Sequence, residues 1–96
     1  MSLLRLFRRK QDNTEAARRA RLLRTGRIAE GTIFDIATDE QGHITHVFYA
    51  YEINGVEYES SQTLDEAQRT HAADYVAGAP ITIRFDPRQP ANSVVV

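Results

Sequence analysis

Asn54-Gly55 sits between two runs in which apolar and polar residues alternate. A two-residue loop of this type takes positive φ at both positions, joins two antiparallel strands and fixes their register. It pairs Ile53 with Val56, Glu52 with Glu57, Tyr51 with Tyr58, Ala50 with Glu59 and Tyr49 with Ser60. One face of the hairpin then carries Tyr49, Tyr51, Ile53, Val56 and Tyr58, which reads as core. The other carries Glu52, Glu57 and Glu59. Like charges directly opposite one another across strands are destabilising. The acidic face is therefore a candidate docking surface for something basic. The plainer reading is a solvated face that favours solubility and discourages edge pairing.

The rest of the chain organises around that hairpin. Before Arg27 the pattern has a helical period, and after it the period is two. Leu3, Leu4, Leu6 and Phe7 fall on one arc of a short helix over residues 2–10, with Arg5, Arg8 and Arg9 opposite. A turn is expected at Gln11-Asp12-Asn13. A second helix follows, with Ala16, Ala20 and Leu23 on a shared face and Gly26 as its stop. Ile28–Ala37 reads as a strand with a bend or bulge at Gly31. Asp39-Glu40-Gln41-Gly42 is a turn. His43–Ile53 is a long central strand and Val56–Ser61 its return.

Thr63-Leu64-Asp65-Glu66 fits a capping box, with a helix running to about Tyr75. Gly78 and Pro80 end that helix. Ile81–Phe85 and Ser93–Val96 complete the strands, joined by a turn at Asp86-Pro87. The pattern predicts an α+β, mostly β fold. Its centre is a small antiparallel barrel-like sheet of about five strands with one inserted helix. The arm spans 1–26 and the barrel-like domain 27–96.

A chain of 96 residues makes one domain with one modest core. Without cysteine it has no disulfide framework, thiol nucleophile or thiolate zinc site. No stretch approaches the ~18–20 apolar residues of a spanning helix. Met1–Lys10 places its positive charges after the apolar residues, the reverse of a secretory signal. The chain is expected to be cytoplasmic and unprocessed.

Charge is split along the chain. Residues 1–27 carry nine Arg/Lys against Asp12 and Glu15, a net of +7, and residues 28–96 carry three arginines against eleven acids, a net of −8. Such asymmetry concerns partners and not fold. Three readings of the arm follow. Leu3, Leu4, Leu6 and Phe7 can enter a bilayer interface while Arg5, Arg8, Arg9 and Lys10 meet anionic headgroups. The second basic helix, with Arg18, Arg19, Arg21 and Arg24, can bind nucleic acid. Or the arm packs on its own body or on a second copy, making a homo-oligomer, and neutralises the glutamate face.

Candidate chemistry is sparse. His43 and His46 lie three apart in a strand, so they point to opposite faces and do not share a metal. His71 and Asp74 form a surface pair. Ser60 and Ser61 lack a strained nucleophile turn, and Asp65-Glu66 sits where a helix start favours negative charge. The cluster Tyr49, Tyr51, Tyr58 and Tyr75 has no interleaved basic residues, so it reads as packing and not as a base-stacking platform. No catalytic residue, metal ligand or cofactor site is expected, and the chain does not read as an enzyme.

Four stretches carry a resemblance. Gly26-Arg27-Ile28-Ala29-Glu30-Gly31-Thr32-Ile33 looks like an opening strand. Tyr49-Ala50-Tyr51-Glu52-Ile53-Asn54-Gly55-Val56-Glu57-Tyr58 is a tyrosine-flanked hairpin. Tyr75-Val76-Ala77-Gly78-Ala79-Pro80-Ile81-Thr82-Ile83 leads into a strand, and Arg84-Phe85-Asp86-Pro87-Arg88-Gln89-Pro90-Ala91-Asn92-Ser93 closes the domain. Together they resemble the bacterial family catalogued as domain of unknown function 3592, from Gly26 to Val96. The resemblance implies a β domain in envelope or membrane-associated proteins, commonly flanked by spanning helices. It carries no catalytic residues with it. The arm departs from that pattern because it cannot span, and a basic amphipathic arm is its peripheral counterpart.

The expected function is a non-enzymatic binding or assembly module, peripheral to the inner membrane face or to a membrane protein. The alternative is a nucleic-acid-binding accessory protein acting through the arm.

Overall fold

The computed structural model describes the backbone of residues 3–96 and the side chains of residues 14–96. Helix α1 (Leu3–Thr25) leads into β1 (Arg27–Thr38), β2 (Ile44–Ile53) and β3 (Val56–Thr63). A single helical turn, α2 (Glu66–Arg69), and a 3-10 turn (Ala72–Asp74) precede β4 (Pro80–Asp86) and β5 (Gln89–Val95). The five strands form one sheet in the order β3-β2-β1-β4-β5, antiparallel at every pairing. The mostly β, barrel-like architecture is the expected one.

Asn54 (φ 53°) and Gly55 (φ 82°) both take the left-handed region. The β2–β3 register is the predicted one, from Ile53↔Val56 and Tyr51↔Tyr58 on to His46↔Thr63. β3 runs two residues further than Ser61 because Gln62 and Thr63 keep pairing with β2. At the hairpin tip the predicted core face thins out. Tyr49 and Tyr51 are buried and Ile53 and Tyr58 half-buried, but Val56 is exposed, because the tip projects past the other strands.

Gly31 is not a bulge. It pairs with Tyr51 on one side and Ile81 on the other, at the sheet's centre. A Cβ there would stand 2.9 Å from the Ala50 carbonyl oxygen, so a side chain would push β2 away. The pairing of β1 with β2 is irregular at two other places, between Ile33 and Asp35, leaving Phe34 unpaired, and between Ala37 and Thr38. Phe34 turns outward against Phe48, with ring centroids 6.4 Å apart.

Inward-facing residues of β1, β2, β4 and β5 form the buried core, with Tyr58 of β3 half-buried against it. Ile33, Val47, Tyr49, Tyr51, Ile81, Ile83 and Val95 pack with Leu64 and Tyr75 from the β3–β4 connection. The sheet curls until β3 and β5 approach. These two edges run parallel, and glutamine side chains bridge them. The Val95 N–H donates to Gln62 Oε1 at 2.9 Å, and Gln68 Nε2 donates to the Val95 carbonyl at 3.0 Å. Two buried amides thus stand in for a missing strand pairing and leave no buried backbone group of Val95 unpaired. Among the described residues no buried side-chain N or O atom lacks a partner.

The inserted helix differs from its expected form. Its cap is Asp65 with Gln68, not Thr63 with Glu66, because Thr63 is still in β3. The Gln68 N–H donates to Asp65 Oδ1 at 2.7 Å, and the Asp65 N–H to Gln68 Oε1 at 3.0 Å. The helix stops at Arg69, and the 3-10 turn after it brings Tyr75, 5% exposed, into the core. The arm differs too. α1 is one helix through Gln11-Asp12-Asn13. None of these three is Gly or Pro, and each costs only a few tenths of a kcal/mol in a helix interior, so the helix continues.

Candidate functional site

The C-terminal half of α1 is fixed to the barrel by residues three and four apart. Glu15, Arg18, Arg19 and Leu22 recur at helical spacing, which sets them on one stripe. The Glu15 carboxylate takes two bonds from Arg18, Nε at 3.0 Å and Nη2 at 2.9 Å, and a third from Arg19 Nε at 2.9 Å. This paired geometry holds both guanidiniums in place. Arg18, then burial in opposition, then Arg19 act on that carboxyl, and its pKa drops from 4.5 to about 2. The Arg18 guanidinium is correspondingly pushed above its ordinary value.

Held this way, the two arginines reach across the barrel seam. Arg18 Nη1 donates to Asn92 Oδ1 at 2.7 Å and to the Ser93 carbonyl at 3.0 Å, both in β5. Arg19 Nη2 donates to Thr63 Oγ1 at 3.1 Å, at the end of β3. Inside the barrel, Ser93 Oγ meets the Tyr49 hydroxyl at 2.7 Å. A polar chain therefore runs from exposed Glu15 through Arg18 and Ser93 to a fully buried tyrosine. Leu22, 4% exposed, supplies the apolar contact of the helix. Val94 points away from the inward-facing Ser93 and Val95 yet is 2% exposed, and α1 is the element packed on β4 and β5.

Gly26 completes the junction. A Cβ there would stand 2.5 Å from the Leu22 carbonyl oxygen, 3.1 Å from Arg84 Cβ and 3.2 Å from the Phe85 carbonyl oxygen. Arg84 Nη1 donates to the Gly26 carbonyl at 3.0 Å. Arg84 thus ties β4 to the helix end and does not pair with Asp86 or a glutamate. Asp86 Oδ1 instead accepts from the Arg88 N–H at 2.8 Å, the expected turn geometry. Between α1 and this turn lies an open groove enclosing about 670 Å³, lined by Arg18, Arg21, Arg88, Asp86 and Asn92 among others.

The other predicted residues are scattered. The side chains of Leu3, Leu4, Arg5, Leu6, Phe7, Arg8, Arg9 and Lys10 lie outside the described residues, whereas the backbone of all eight is in α1. Ala16, Ala20 and Leu23 face solvent, because the docked stripe is the one through Arg18 and Leu22. Arg21 and Arg24 are exposed. Glu52, Glu57 and Glu59 are exposed as well, and none of Arg18, Arg19, Arg21 and Arg24 bonds to them. Through its described residues the arm packs on its own body, on polar groups of β3 and β5, and none of those residues bonds to the glutamate face.

Tyr49, Tyr51 and Tyr58 stack in succession with centroids 5.9 and 5.6 Å apart, as core packing. The Tyr51 hydroxyl donates to the Pro90 carbonyl. His43 sits 3.6 Å from Asp39, His46 contacts Thr45, and His71 lies 3.9 Å from Asp74 on the surface. Among the described residues no group of three or more His, Cys, Asp or Glu is placed to hold a metal ion. None of the described helices is long and apolar enough to cross a membrane.

Asn92, Ser93, Gln62 and Gln68 were not singled out from sequence. Their one signal is polarity at positions where an alternating strand, or a helix start beside it, calls for apolar residues.

The family model described as Domain of unknown function (DUF3592) matches residues 24–96. No curated protein and no solved structure matches the chain.

Proposed function

On the premise that the chain belongs to the family Domain of unknown function (DUF3592), we propose that it is a non-enzymatic module held at an anionic membrane surface by the start of α1. One observation carries this reading. The described anchor of α1 (Glu15, Arg18, Arg19 and Leu22) lies wholly in the C-terminal half of the helix. These contacts fix the C-terminal half of α1 on the barrel, and the amphipathic segment at residues 3–10 precedes them in the same helix. That segment has four leucine or phenylalanine residues on one arc and Arg5, Arg8, Arg9 and Lys10 beside them. At 1.5 Å per residue, about 22 Å of helix separates Leu3 from Arg18. Each cation near an anionic leaflet contributes about 1 kcal/mol, and the apolar face adds to that.

The alternative, nucleic-acid binding through the second basic helix, is less well supported. Arg18 and Arg19 are engaged with Glu15, Asn92, Ser93 and Thr63, which leaves Arg21 and Arg24 of the four.

Co-sedimentation with phosphatidylglycerol vesicles and with phosphatidylcholine vesicles tests the proposal. The full chain is expected to pellet with the anionic vesicles only and to be released by salt. A chain with Arg5, Arg8, Arg9 and Lys10 all changed to Gln should stay in solution. Equal binding by that variant, or none by the original chain, overturns the reading. Salt-dependent binding to an oligonucleotide in place of vesicles favours the alternative.

A further inference from the structure

We propose that the groove between α1 and the β4–β5 turn is a binding site for a small phosphate ester, contacted by Arg21, Arg88 and the amide nitrogen of Asn92. The body beyond residue 27 is strongly acidic, yet here three guanidiniums face a single carboxylate, a lining charge of +2.

The hydrogen-bond inventory separates framework from site. Arg18 is spent on Glu15, Asn92 Oδ1 and the Ser93 carbonyl, so it forms a fixed wall. Its bond to Asn92 Oδ1 also orients that amide, and the Asn92 nitrogen keeps both N–H donors unspent. Asp86 is committed through Oδ1 to the backbone of its own turn. Arg21 and Arg88 have no side-chain partner among the described residues, and both are exposed. Beside the second oxygen of Asp86, what remains unspent is a set of donors, two of them planar forks that match phosphate oxygens. About 670 Å³ is far more than a phosphate ion fills, and Ala17 and Leu22 add apolar lining for an organic part.

This inference does not depend on the membrane reading. A soluble phosphate ester and a lipid headgroup share the chemistry, and the experiment distinguishes them. The full chain is titrated calorimetrically with sn-glycerol 3-phosphate, with glycerol as the uncharged control. Arg21→Gln with Arg88→Gln should weaken glycerol phosphate binding about tenfold or more, while the thermal midpoint holds. Arg24→Gln with Arg27→Gln removes the same charge outside the groove and should bind as the original chain does. Absence of binding, or equal weakening by both pairs, overturns the site.

The chain lacking the charges of Arg5, Arg8, Arg9 and Lys10 is then mixed with phosphatidic acid vesicles. Pelleting abolished by Arg21→Gln with Arg88→Gln assigns the groove to a lipid headgroup. Glycerol phosphate binding without pelleting assigns it to a soluble ester. Either result supports the groove, and neither depends on whether the arm binds phosphatidylglycerol.

Discussion

The Arg18 guanidinium donates at 2.7 Å to Asn92 Oδ1, 74 positions further along the chain. This bond joins the first element of the fold to the last strand. Asn92 and Ser93 lie at the edge of the sheet, where β5 has no strand beyond it. An open edge invites pairing with another chain. Here α1 covers it with charge.

Arg18→Met keeps most of the side-chain volume and removes the donors. It is expected to lower stability by about 1–2 kcal/mol, the range for a partly exposed bond to a charged group. Trypsin should then cut more readily at Arg21 and Arg24, because α1 loosens. Urea unfolding and timed proteolysis check this. An unchanged midpoint together with unchanged cleavage would mean that the helix is held by Leu22 alone.

Gln62→Leu leaves the Val95 N–H buried without its acceptor. A buried unsatisfied donor costs about 1–3 kcal/mol, so the midpoint of chemical unfolding should fall accordingly. Hydrogen exchange at the Val95 amide should accelerate more than at Ile83 in the sheet's interior. Uniform acceleration at both would show that the seam is not a separate unit of stability.

Gly31→Ala tests the central approach of β1 and β2. The new methyl would lie 2.9 Å from the Ala50 carbonyl oxygen, which is backbone and cannot swing aside. The expected loss is about 1–3 kcal/mol. Thr32→Ala, one position along on the exposed face, should stay within about 0.5 kcal/mol. Comparable melting curves for the two variants would refute the steric account.

Glu15 makes stability depend on acid. Its folded pKa, about 2, lies below the ordinary 4.5. A depressed carboxylate stabilises the fold above the unfolded pKa and loses that contribution as pH falls through the folded one. The stability difference between the original chain and Glu15→Gln should therefore be full above pH 4.5 and shrink toward pH 2. The carboxylate is about half exposed, 48%, so solvent screening keeps the difference small. Urea unfolding of both chains at several pH values reads it. A difference that grows on acidification would contradict the assignment.

The hairpin was legible because its information is local. Asn54-Gly55 admits one turn, the turn admits one register, and the register assigns every side chain from Tyr49 to Ser60 to a face. The turn at Asp86-Pro87 was legible for the same reason. Gly31 suggests a bend or bulge because sequence shows a missing side chain without showing what occupies the space. The true irregularities, at Phe34 and between Ala37 and Thr38, carry no glycine. The capping box was shifted by two residues because both Thr63-x-x-Glu66 and Asp65-x-x-Gln68 fit the pattern. Only pairing with β2 shows that Thr63 is still strand.

Period, turn chemistry and charge sign are written in neighbouring residues. The sequence by itself therefore determined the strand-rich body, the hairpin register and the separation of a basic arm from an acidic domain. The tertiary structure alone decided where the arm rests. Glu52, Glu57 and Glu59 offered the arginines a long-range attraction that solvent screens at an exposed face. Asn92, Ser93 and Thr63 offered short bonds at a seam that had to be covered. Contact geometry outweighed net charge, and no reading of spacing along the chain contains the distance from Arg18 to Asn92.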